Sequence, residues 1–195
     1  GDQAATEDAA FSFQFASNAF ADIDVGETLS YSTSALPSWL SFDAATRTFT
    51  GTPANADVGT ATVTVTATDG SGATASDAFD IVVANTNDAP TLANAIGDQA
   101  ATEDAAFSFQ FASNTFADAD VGDTLSYSTS ALPAWLTFDA ATRIFTGTPA
   151  NADVGTATIT VTATDGSGAT ATDTFDIVAA NANDAPTLAN PIADQ

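Results

Sequence analysis

The chain has 195 residues, with 25 acidic side chains, two arginines and no lysine, histidine or cysteine, so its formal net charge is −23. Nucleic-acid binding and docking on anionic lipid both require clustered Lys and Arg, and membrane insertion requires an apolar run of ~20 residues that the sequence lacks, so we expect none of the three. Without Cys or His there is no disulfide framework, no zinc site of the usual kind, no thiolate nucleophile and no Ser-His-Asp triad, and we expect no enzyme.

A long repeat organises the sequence. The segment that begins at Gly1 begins again at Gly97, and residues 1–96 and 97–192 align without a gap and differ at 12 positions. A period of 96 suits one sandwich domain of roughly 100 residues. The N-terminus lacks the pattern of a signal peptide, so we expect an internal piece of a longer protein. We predict one repeat over residues 1–88, a second over 89–184 and the start of a third over 185–195.

Each repeat alternates apolar and polar residues with the period of β-strands. Phe11, Phe13 and Phe15 alternate with polar residues, and Val63 and Val65 alternate with threonines. Turn sequences rich in Gly, Pro, Asp and Ser separate these runs. In the numbering of the first copy, we predict strands B to G over 9–16, 28–34, 39–43, 47–51, 60–68 and 76–84. Strand A is expected over 91–101 of the second copy and truncated in the first. The pattern predicts an all-β chain of two tandem seven-stranded sandwiches.

Acidic residues gather in loops that alternating strand direction places at the two ends of each sandwich. The A–B turn, the E–F loop and the exit linker of the first repeat are expected at its bottom, and the B–C and F–G loops of the second repeat at its top. Carboxylates that converge without Lys or His repel by several kcal/mol at close range, so we expect a cation there. Ca²⁺ accepts roughly 6 to 8 oxygen ligands in loose geometry. The predicted Ca²⁺ ligands are Glu7, Asp8, Asp57, Asn87, Asp88, Asp118, Asp120 and Asp165.

Several of these segments resemble cadherins. Asn-Thr-Asn-Asp-Ala-Pro at 85–90 resembles the cadherin linker, Asp118-Ala119-Asp120 its Asp-x-Asp element and 164–168 its Asp-x-Gly loop, and Glu7 matches an acidic residue near the start of a cadherin repeat. The body of each repeat is more similar to the dystroglycan-type cadherin-like and immunoglobulin-like repeats of large bacterial surface adhesins.

This resemblance implies both a fold and a function. The implied fold is a tandem pair of immunoglobulin/cadherin-like Greek-key β-sandwiches. The implied function is a calcium-stabilised extender or adhesion module of a bacterial cell-surface or secreted adhesin, in which two or three Ca²⁺ ions rigidify the junction between repeats. The implied location is extracellular, and the implied partners are the neighbouring repeats of the same chain.

A second hypothesis is a polysaccharide-binding or homophilic module, which would hold a glycan or another copy of the adhesin. Tyr31 and Trp39 could stack on a sugar, but with so few large apolar residues in each repeat we expect both in the core. Any single aspartate could also serve only its own turn.

Two further expectations concern particular acids. Asp43 and Asp139 are each expected to form an exposed ion pair with the arginine four residues later, Arg47 and Arg143. The outer ends of the two repeats are expected to be half-sites that bind Ca²⁺ weakly. Their acidic and amide residues are Asp22, Asp24 and Asp69 at one end and Glu103, Asp104, Asp153, Asn183 and Asp184 at the other.

Overall fold

The computed structural model describes residues 1–24, 26 and 28–189 and divides the chain into two units, Gly1–Asn87 and Asp88–Gln195. Nearly all regular structure is β, with 46% strand against 3% helix. Each unit contains a four-stranded and a three-stranded sheet, and the predicted pair of immunoglobulin/cadherin-like sandwiches is confirmed. The predicted repeat boundaries stay a prediction, and residues 190–195 of the predicted third repeat lie outside the described residues. No described helix is long and apolar enough to cross a membrane.

The described residues of the first unit form seven strands. They are β1 (Gln3–Thr6), β2 (Phe11–Gln14), β3 (Ser30–Thr33), β4 (Leu40–Asp43), β5 (Thr48–Gly51), β6 (Gly59–Thr68) and β7 (Thr74–Ala84), with a 3₁₀ turn at Asn55–Asp57. One sheet has the order β1-β7-β6-β3 and the other the order β2-β5-β4. β1 runs parallel to β7 and the other pairs are antiparallel.

The second unit repeats this arrangement and adds one short strand pair. Its strands are β8 (Thr91–Leu92), β9 (Gln99–Thr102), β10 (Phe107–Gln110), β11 (Phe116–Ala117), β12 (Ser126–Thr129), β13 (Leu136–Asp139), β14 (Ile144–Gly147), β15 (Gly155–Thr164) and β16 (Thr170–Ala180), with a 3₁₀ turn at Asn151–Asp153. The sheets have the orders β12-β15-β16-β9 and β10-β14-β13, and β8 pairs with β11.

The prediction for strand A is wrong for the second unit. In the first unit the remaining part of this strand is β1. In the second unit the predicted strand is broken into β8 and β9, because the N–H groups of Ala93 and Asn94 both donate to the carbonyl of Thr115 (2.9 and 3.0 Å) and Ile96 then turns inward and is buried. A strand cannot continue its ladder through such a turn.

Alternate residues of the long strands fill the core. Val63, Val65 and Ala67 of β6 are buried, whereas the threonines between them are at least partly exposed, as expected for a sheet with one face in the core. At the centre Phe49 is fully buried and its ring centroid lies 4.5 Å from that of Phe42. Aromatic rings bury large areas, which lets few apolar residues fill each core.

Tyr31 and Trp39 pack against the core of the first unit as predicted, each partly buried. A side chain at Gly51 would place its Cβ 2.0 Å from the Trp39 carbonyl oxygen, so β5 requires glycine at this close approach. Gly147 and Trp135 repeat the contact in the second unit.

The predicted ion pairs with the arginines are wrong. Asp43 instead accepts hydrogen bonds from the backbone N–H groups of Ala45 (2.9 Å) and Thr46 (3.4 Å), and Asp139 makes the equivalent bonds. Arg47 adopts a left-handed conformation with φ of 59°. Asp43 therefore closes the β4–β5 turn through its backbone donors, which a short carboxylate reaches more readily than a distant guanidinium.

Candidate metal centre

In the first unit, a buried glutamate lies where β1 ends beside β7. The N–H of Glu7 donates to the Ala84 carbonyl (3.1 Å), which fixes the residue between the strands, and the side chain is only 1% exposed. Oε1 accepts the Thr86 N–H at 2.6 Å, whereas Oε2 is buried and meets no donor among the described residues. A carboxylate buried without a full set of donors is strongly destabilised unless a cation compensates it.

Two other predicted ligands of the first unit lie in the adjoining turns. Asp8 is exposed, has a φ of 55°, and its N–H donates to the Pro53 carbonyl (2.8 Å). Aspartate tolerates this left-handed conformation better than most residues. The Oδ2 atom of Asp57 accepts the Ala54 N–H at 3.0 Å, so this carboxylate already stabilises its own turn.

The second unit gathers three carboxylates at the corresponding end, which we call the Glu103 cluster. Glu103, Asp104 and Asp184 each offer one oxygen, and these oxygens lie within 4.8 Å of one another. Glu103 is 1% exposed, and neither of its oxygens has a hydrogen-bond partner in the described chain. Asn151 Nδ2 donates to Asp184 Oδ2 at 2.6 Å. By the 96-residue period, the three acids correspond to Glu7, Asp8 and Asp88.

A second group of acids, the Asp120 cluster, lies in the loop between β11 and β12. Carboxylate oxygens of Asp118, Asp120 and Asp123 lie within 4.8 Å of one another. Asp120 is 5% exposed, and its Oδ2 accepts the Asp88 N–H at 2.9 Å. Asp118 Oδ1 accepts the Asp120 N–H at 3.0 Å. The other oxygens, Asp118 Oδ2 and Asp120 Oδ1, are buried and have no donor in the part of the chain that the structure describes.

Asp165 lies beside this cluster in the turn between β15 and β16. Its Oδ1 accepts the N–H groups of Ser167 (2.9 Å) and Ala169 (2.8 Å), and the residue is buried. A Cβ at Gly166 would lie 3.9 Å from Asp123 Oδ2, so the turn adjoins the Asp120 cluster.

The equivalent turn of the first unit shows how such a carboxylate is held. The Ser71 hydroxyl donates to Asp69 Oδ1 (2.9 Å), as does the Ala73 N–H (2.8 Å). These hydrogen bonds, the Ser71 side chain first, hold the pKa of the Asp69 carboxyl below its ordinary value. The turn therefore favours an ionised carboxylate.

The predicted ligands differ in how closely the structure groups them. Asp118 and Asp120 lie together, and in the second unit so do the equivalents of Glu7, Asp8 and Asp88. Asn87 is exposed at the end of the first unit. Asp153, the equivalent of Asp57, is not among the three described acids of the Glu103 cluster. That these eight residues bind Ca²⁺ stays a prediction.

Asp123 was missed by the sequence prediction. The sequence did contain a signal for it. An acidic residue lies three positions after the Asp-x-Asp element in both copies, as Glu27 in the first and Asp123 in the second. Glu27 itself lies outside the described residues.

The donor chemistry fits a hard divalent cation. Both clusters offer only carboxylate oxygens in close proximity, and each contains a buried acid with an oxygen that has no hydrogen-bond partner in the described chain. The chain's two arginines, Arg47 and Arg143, belong to the β4–β5 and β13–β14 turns. Oxygen-only ligand sets suit Ca²⁺ and Mg²⁺ rather than zinc or copper.

Comparison with known proteins supplies a family and a fold. A sequence model of the family described as "Putative Ig domain" matches residues 1–84 and 89–180. Similar solved structures include the extracellular cadherin domains 1–5 of protocadherin gamma B2 (17% identity, TM-score 0.58, 94% of this chain and 39% of that chain). Mouse cadherin-23 EC22–24 is also similar (16% identity, TM-score 0.58, 79% of this chain and 53% of that chain). At these identities the likeness shows the fold alone.

An endo-fucoidan hydrolase of glycoside hydrolase family 107 is also matched, at 21% identity and a TM-score of 0.44, over 94% of this chain and 28% of that chain. A TM-score this low supports no argument about activity. The chain spans between 28% and 53% of the length of these three structures. No curated protein matches the chain.

Proposed function

The chain belongs to the "Putative Ig domain" family, in two tandem copies with a cadherin-like fold, and we propose that it is a calcium-stabilised extender and adhesion module of a bacterial cell-surface or secreted adhesin. The coarser part of this function, an immunoglobulin/cadherin-like adhesion-type module, follows from the family and the fold. Repeats of this kind are typically extracellular. Calcium binding and the bacterial surface are the proposed parts.

The observation that carries the calcium proposal is the environment of Glu103. This carboxylate is almost fully buried, has no hydrogen-bond partner in the described chain and lies beside two further acids. Burial of an ionised carboxylate among like charges is strongly unfavourable in a low-dielectric environment. A bound Ca²⁺ would reverse that balance, because it supplies positive charge and accepts several oxygens in flexible geometry.

Separate Ca²⁺ ions would be held at the two ends of the second unit. The proposed ligands are Glu103, Asp104 and Asp184 at one end and Asp118, Asp120 and Asp123 at the other, with Glu7 and Asp8 in the first unit. When bound, Ca²⁺ supplies charge neutralisation rather than a reaction. Because it binds the folded chain, its binding free energy adds to the stability of the fold.

For a protein made of tandem repeats, we propose that the neighbouring repeats of the same chain are the main partners and that bound Ca²⁺ limits bending of the linker at 85–90. A short polar linker without bound ions is expected to be flexible. Small-angle scattering with Ca²⁺ and with chelator tests this part, and an identical scattering profile in both conditions would contradict it.

Polysaccharide binding, the alternative function, would use exposed aromatic faces. Tyr31 and Trp39 pack against the core of the first unit and are partly buried, so neither favours a stacking platform. The alternative stays a prediction, and pull-down on insoluble polysaccharides is its test.

The calcium proposal is tested by thermal unfolding at fixed ionic strength. We expect the melting temperature to rise on going from chelator to excess Ca²⁺, by an amount equivalent to about 2.7 kcal/mol at a hundredfold excess over Kd. Glu103→Gln removes a proposed ligand and should reduce the rise. Asp139→Asn removes the same charge from the β13–β14 turn and should leave the rise unchanged. An equal melting temperature with and without Ca²⁺ would refute the proposal.

A further inference from the structure

The four-stranded sheet of the second unit has one open edge. β12 (Ser126–Thr129) is the last strand of this sheet and pairs with β15 alone among the described strands. The Ser130 N–H donates to the Thr160 carbonyl at 2.9 Å, so alternate residues along β12 direct their backbone groups toward β15. The N–H and carbonyl groups of Tyr127 and Thr129 therefore point away from the sheet, and no described residue hydrogen-bonds to them from that side.

The first unit has the same open edge. β3 (Ser30–Thr33) is the last strand of its sheet, and the Ser34 N–H donates to the Thr64 carbonyl at 2.9 Å. Residues 29–37 and 125–133 have identical sequences. The open edge is therefore a feature of the repeat and does not depend on the substitutions between the two copies.

This edge lacks the features that usually prevent edge strands from pairing. Natural edge strands carry Lys, Pro, a bulge or an inward-pointing charge, whereas residues 125–131 read Leu-Ser-Tyr-Ser-Thr-Ser-Ala and the β12–β15 register has no bulge. The other described edges of the second unit differ. β9 lies between Asp98 and Glu103, β13 ends at Asp139, and β10 lies beside residues 94–99, with which it lines a pocket. β12 is thus the described edge best suited to accept another strand.

The chemistry of the edge specifies the partner that it can bind. A row of free N–H and carbonyl groups is recognised by the backbone of another extended strand. The Ser and Thr side chains along the edge offer no carboxylate to a basic strand, and the net charge of −23 repels an acidic one. An uncharged strand remains, and the same edge of a second copy supplies it.

We propose that this edge pairs antiparallel with the same edge of a second copy of the chain, so that two four-stranded sheets become one continuous sheet. With Ser128 opposite Ser128 at a two-fold axis, Tyr127 lies opposite Thr129 and each free N–H meets a free carbonyl. β3 can pair in the same way, with Ser32 at the axis. The side chains brought opposite one another are uncharged, which avoids the cost of like charges across a strand pair.

Antiparallel pairing also keeps the acidic loops of the two copies apart. Asp123, which precedes this edge, comes level with Pro133 of the second copy. A parallel pairing in register would instead bring the Asp120 clusters of both copies side by side, where their carboxylates repel. The remaining repulsion between copies is long-ranged and is screened at physiological ionic strength.

Sedimentation over a concentration series tests the pairing, which does not rest on calcium binding. We expect the chain to associate at physiological ionic strength. Ser32→Asp combined with Ser128→Asp should weaken association by at least about tenfold, because like charges then lie directly opposite at the axis.

The matched control is Ser76→Asp combined with Thr172→Asp. Both residues are exposed, and they lie in the same cross-strand rows as Ser32 and Ser128 but two strands in from the edge. This variant carries the same added charge as the test variant. It should associate like the parent chain.

A second experiment tests the register. The chain has no cysteine, so introduced cysteines are its sole thiols. At a non-hydrogen-bonded antiparallel pair the Cα atoms lie about 4.5 Å apart, which is within the range of a disulfide. Ser32→Cys combined with Ser128→Cys should therefore form disulfide-linked species on air oxidation, whereas Ser76→Cys combined with Thr172→Cys should not.

Three results would overturn the proposal. The first is a chain that stays monomeric over the whole series, with and without Ca²⁺. The second is association that the edge variant and the control variant change equally. The third is disulfide formation from the edge cysteines that does not exceed that of the control pair. None of these readouts depends on the thermal response to Ca²⁺, so failure of this proposal and failure of the calcium function are distinguishable.

Discussion

The two units have nearly the same sequence but differ in how they bury one acidic loop. Asp120 is buried in the second unit, whereas its equivalent Asp24 is exposed in the first. Phe116 is buried and its equivalent Phe20 only partly so. These residues are identical in the two copies, but three of the 12 substitutions lie in the same loop, at Ala19/Thr115, Ile23/Ala119 and Glu27/Asp123. In the second unit the segment 88–96 covers this loop, because the Asp88 N–H donates to Asp120 and Ile96 packs in the core.

The opposite end of each unit behaves differently, because its burial is set within the sandwich. Glu7 and Glu103 are equally buried, and each donates its N–H to the last residue of the neighbouring strand, Ala84 or Ala180. In the second unit the acidic loop is buried under the segment 88–96, whereas the glutamate at the strand end is buried by its own sheet in both units.

The largest expected effect comes from truncating Ile96, which the segment 88–96 packs into the core of the second unit. Ile96→Ala should destabilise the second unit by about 2–5 kcal/mol, because it removes a buried side chain and leaves a cavity. Each unit contains one tryptophan, so Trp135 fluorescence in a Trp39→Phe background reports the second unit alone during denaturant unfolding. Ile23→Ala is the matched control and should be neutral. A neutral Ile96→Ala would contradict the packing of Ile96 in the core of the second unit.

An effect of intermediate size is expected in calcium affinity. The loop with Asp118 and Asp120 should bind Ca²⁺ at least about tenfold more tightly than the loop with Asp22 and Asp24. The carboxylates of Asp118 and Asp120 are already grouped and partly desolvated, whereas Asp22 and Asp24 are exposed, so less reorganisation is needed to bind the ion. Residue-specific NMR during a Ca²⁺ titration measures both loops in one sample. Equal midpoints in a monomeric sample would show that the segment 88–96 adds nothing to the site.

The smallest effect concerns the β4–β5 and β13–β14 turns, where the units agree. Hydrogen bonds from the Thr46 side chain and then from the Thr46 and Ala45 N–H groups hold the pKa of Asp43 below its ordinary value of 3.8, and Asp139 has the equivalent bonds and shift. A folded pKa below the unfolded one gives stability that is full above about pH 4 and is lost as pH falls through the folded pKa.

Asp43→Asn and Asp139→Asn should therefore cause equally small decreases in melting temperature at pH 7, and the decreases should vanish at pH values below the folded pKa. Thermal scans of the two variants between neutral and acid pH measure this. Unequal decreases, or decreases that persist in acid, would contradict an ionised carboxylate acting in both turns.

The fold was predictable because its signals are local and periodic. Val63 and Val65 alternate with threonine, and that alternation alone indicates a strand with one buried face. The break between β8 and β9 was not predictable, because it depends on the Thr115 carbonyl more than twenty residues away in sequence. The arginine pairing failed for the opposite reason, since nearer backbone donors outcompete the side chain that spacing suggested.

For the candidate site, sequence could indicate the loops but not the degree of burial. Asp118 and Asp120 stood out as an Asp-x-Asp element, and the structure does bring their carboxylates together. The burial of Asp120 was not predictable from its loop, because it depends on the segment 88–96, which is more than twenty residues away in sequence. Asp57 is the opposite case. It was predicted as a Ca²⁺ ligand, but its carboxylate accepts a hydrogen bond from the Ala54 N–H in its own turn.

The central claim is that buried carboxylates without hydrogen-bond partners form a calcium site, and a calorimetric Ca²⁺ titration of Glu103→Gln beside the parent chain tests it most directly. The parent is expected to bind with a Kd on the order of 0.1 to 1 mM. Glu103→Gln should lose one set of sites and retain the rest, with Asp139→Asn titrating like the parent. Identical isotherms for Glu103→Gln and the parent, or no binding by the parent, would contradict the account.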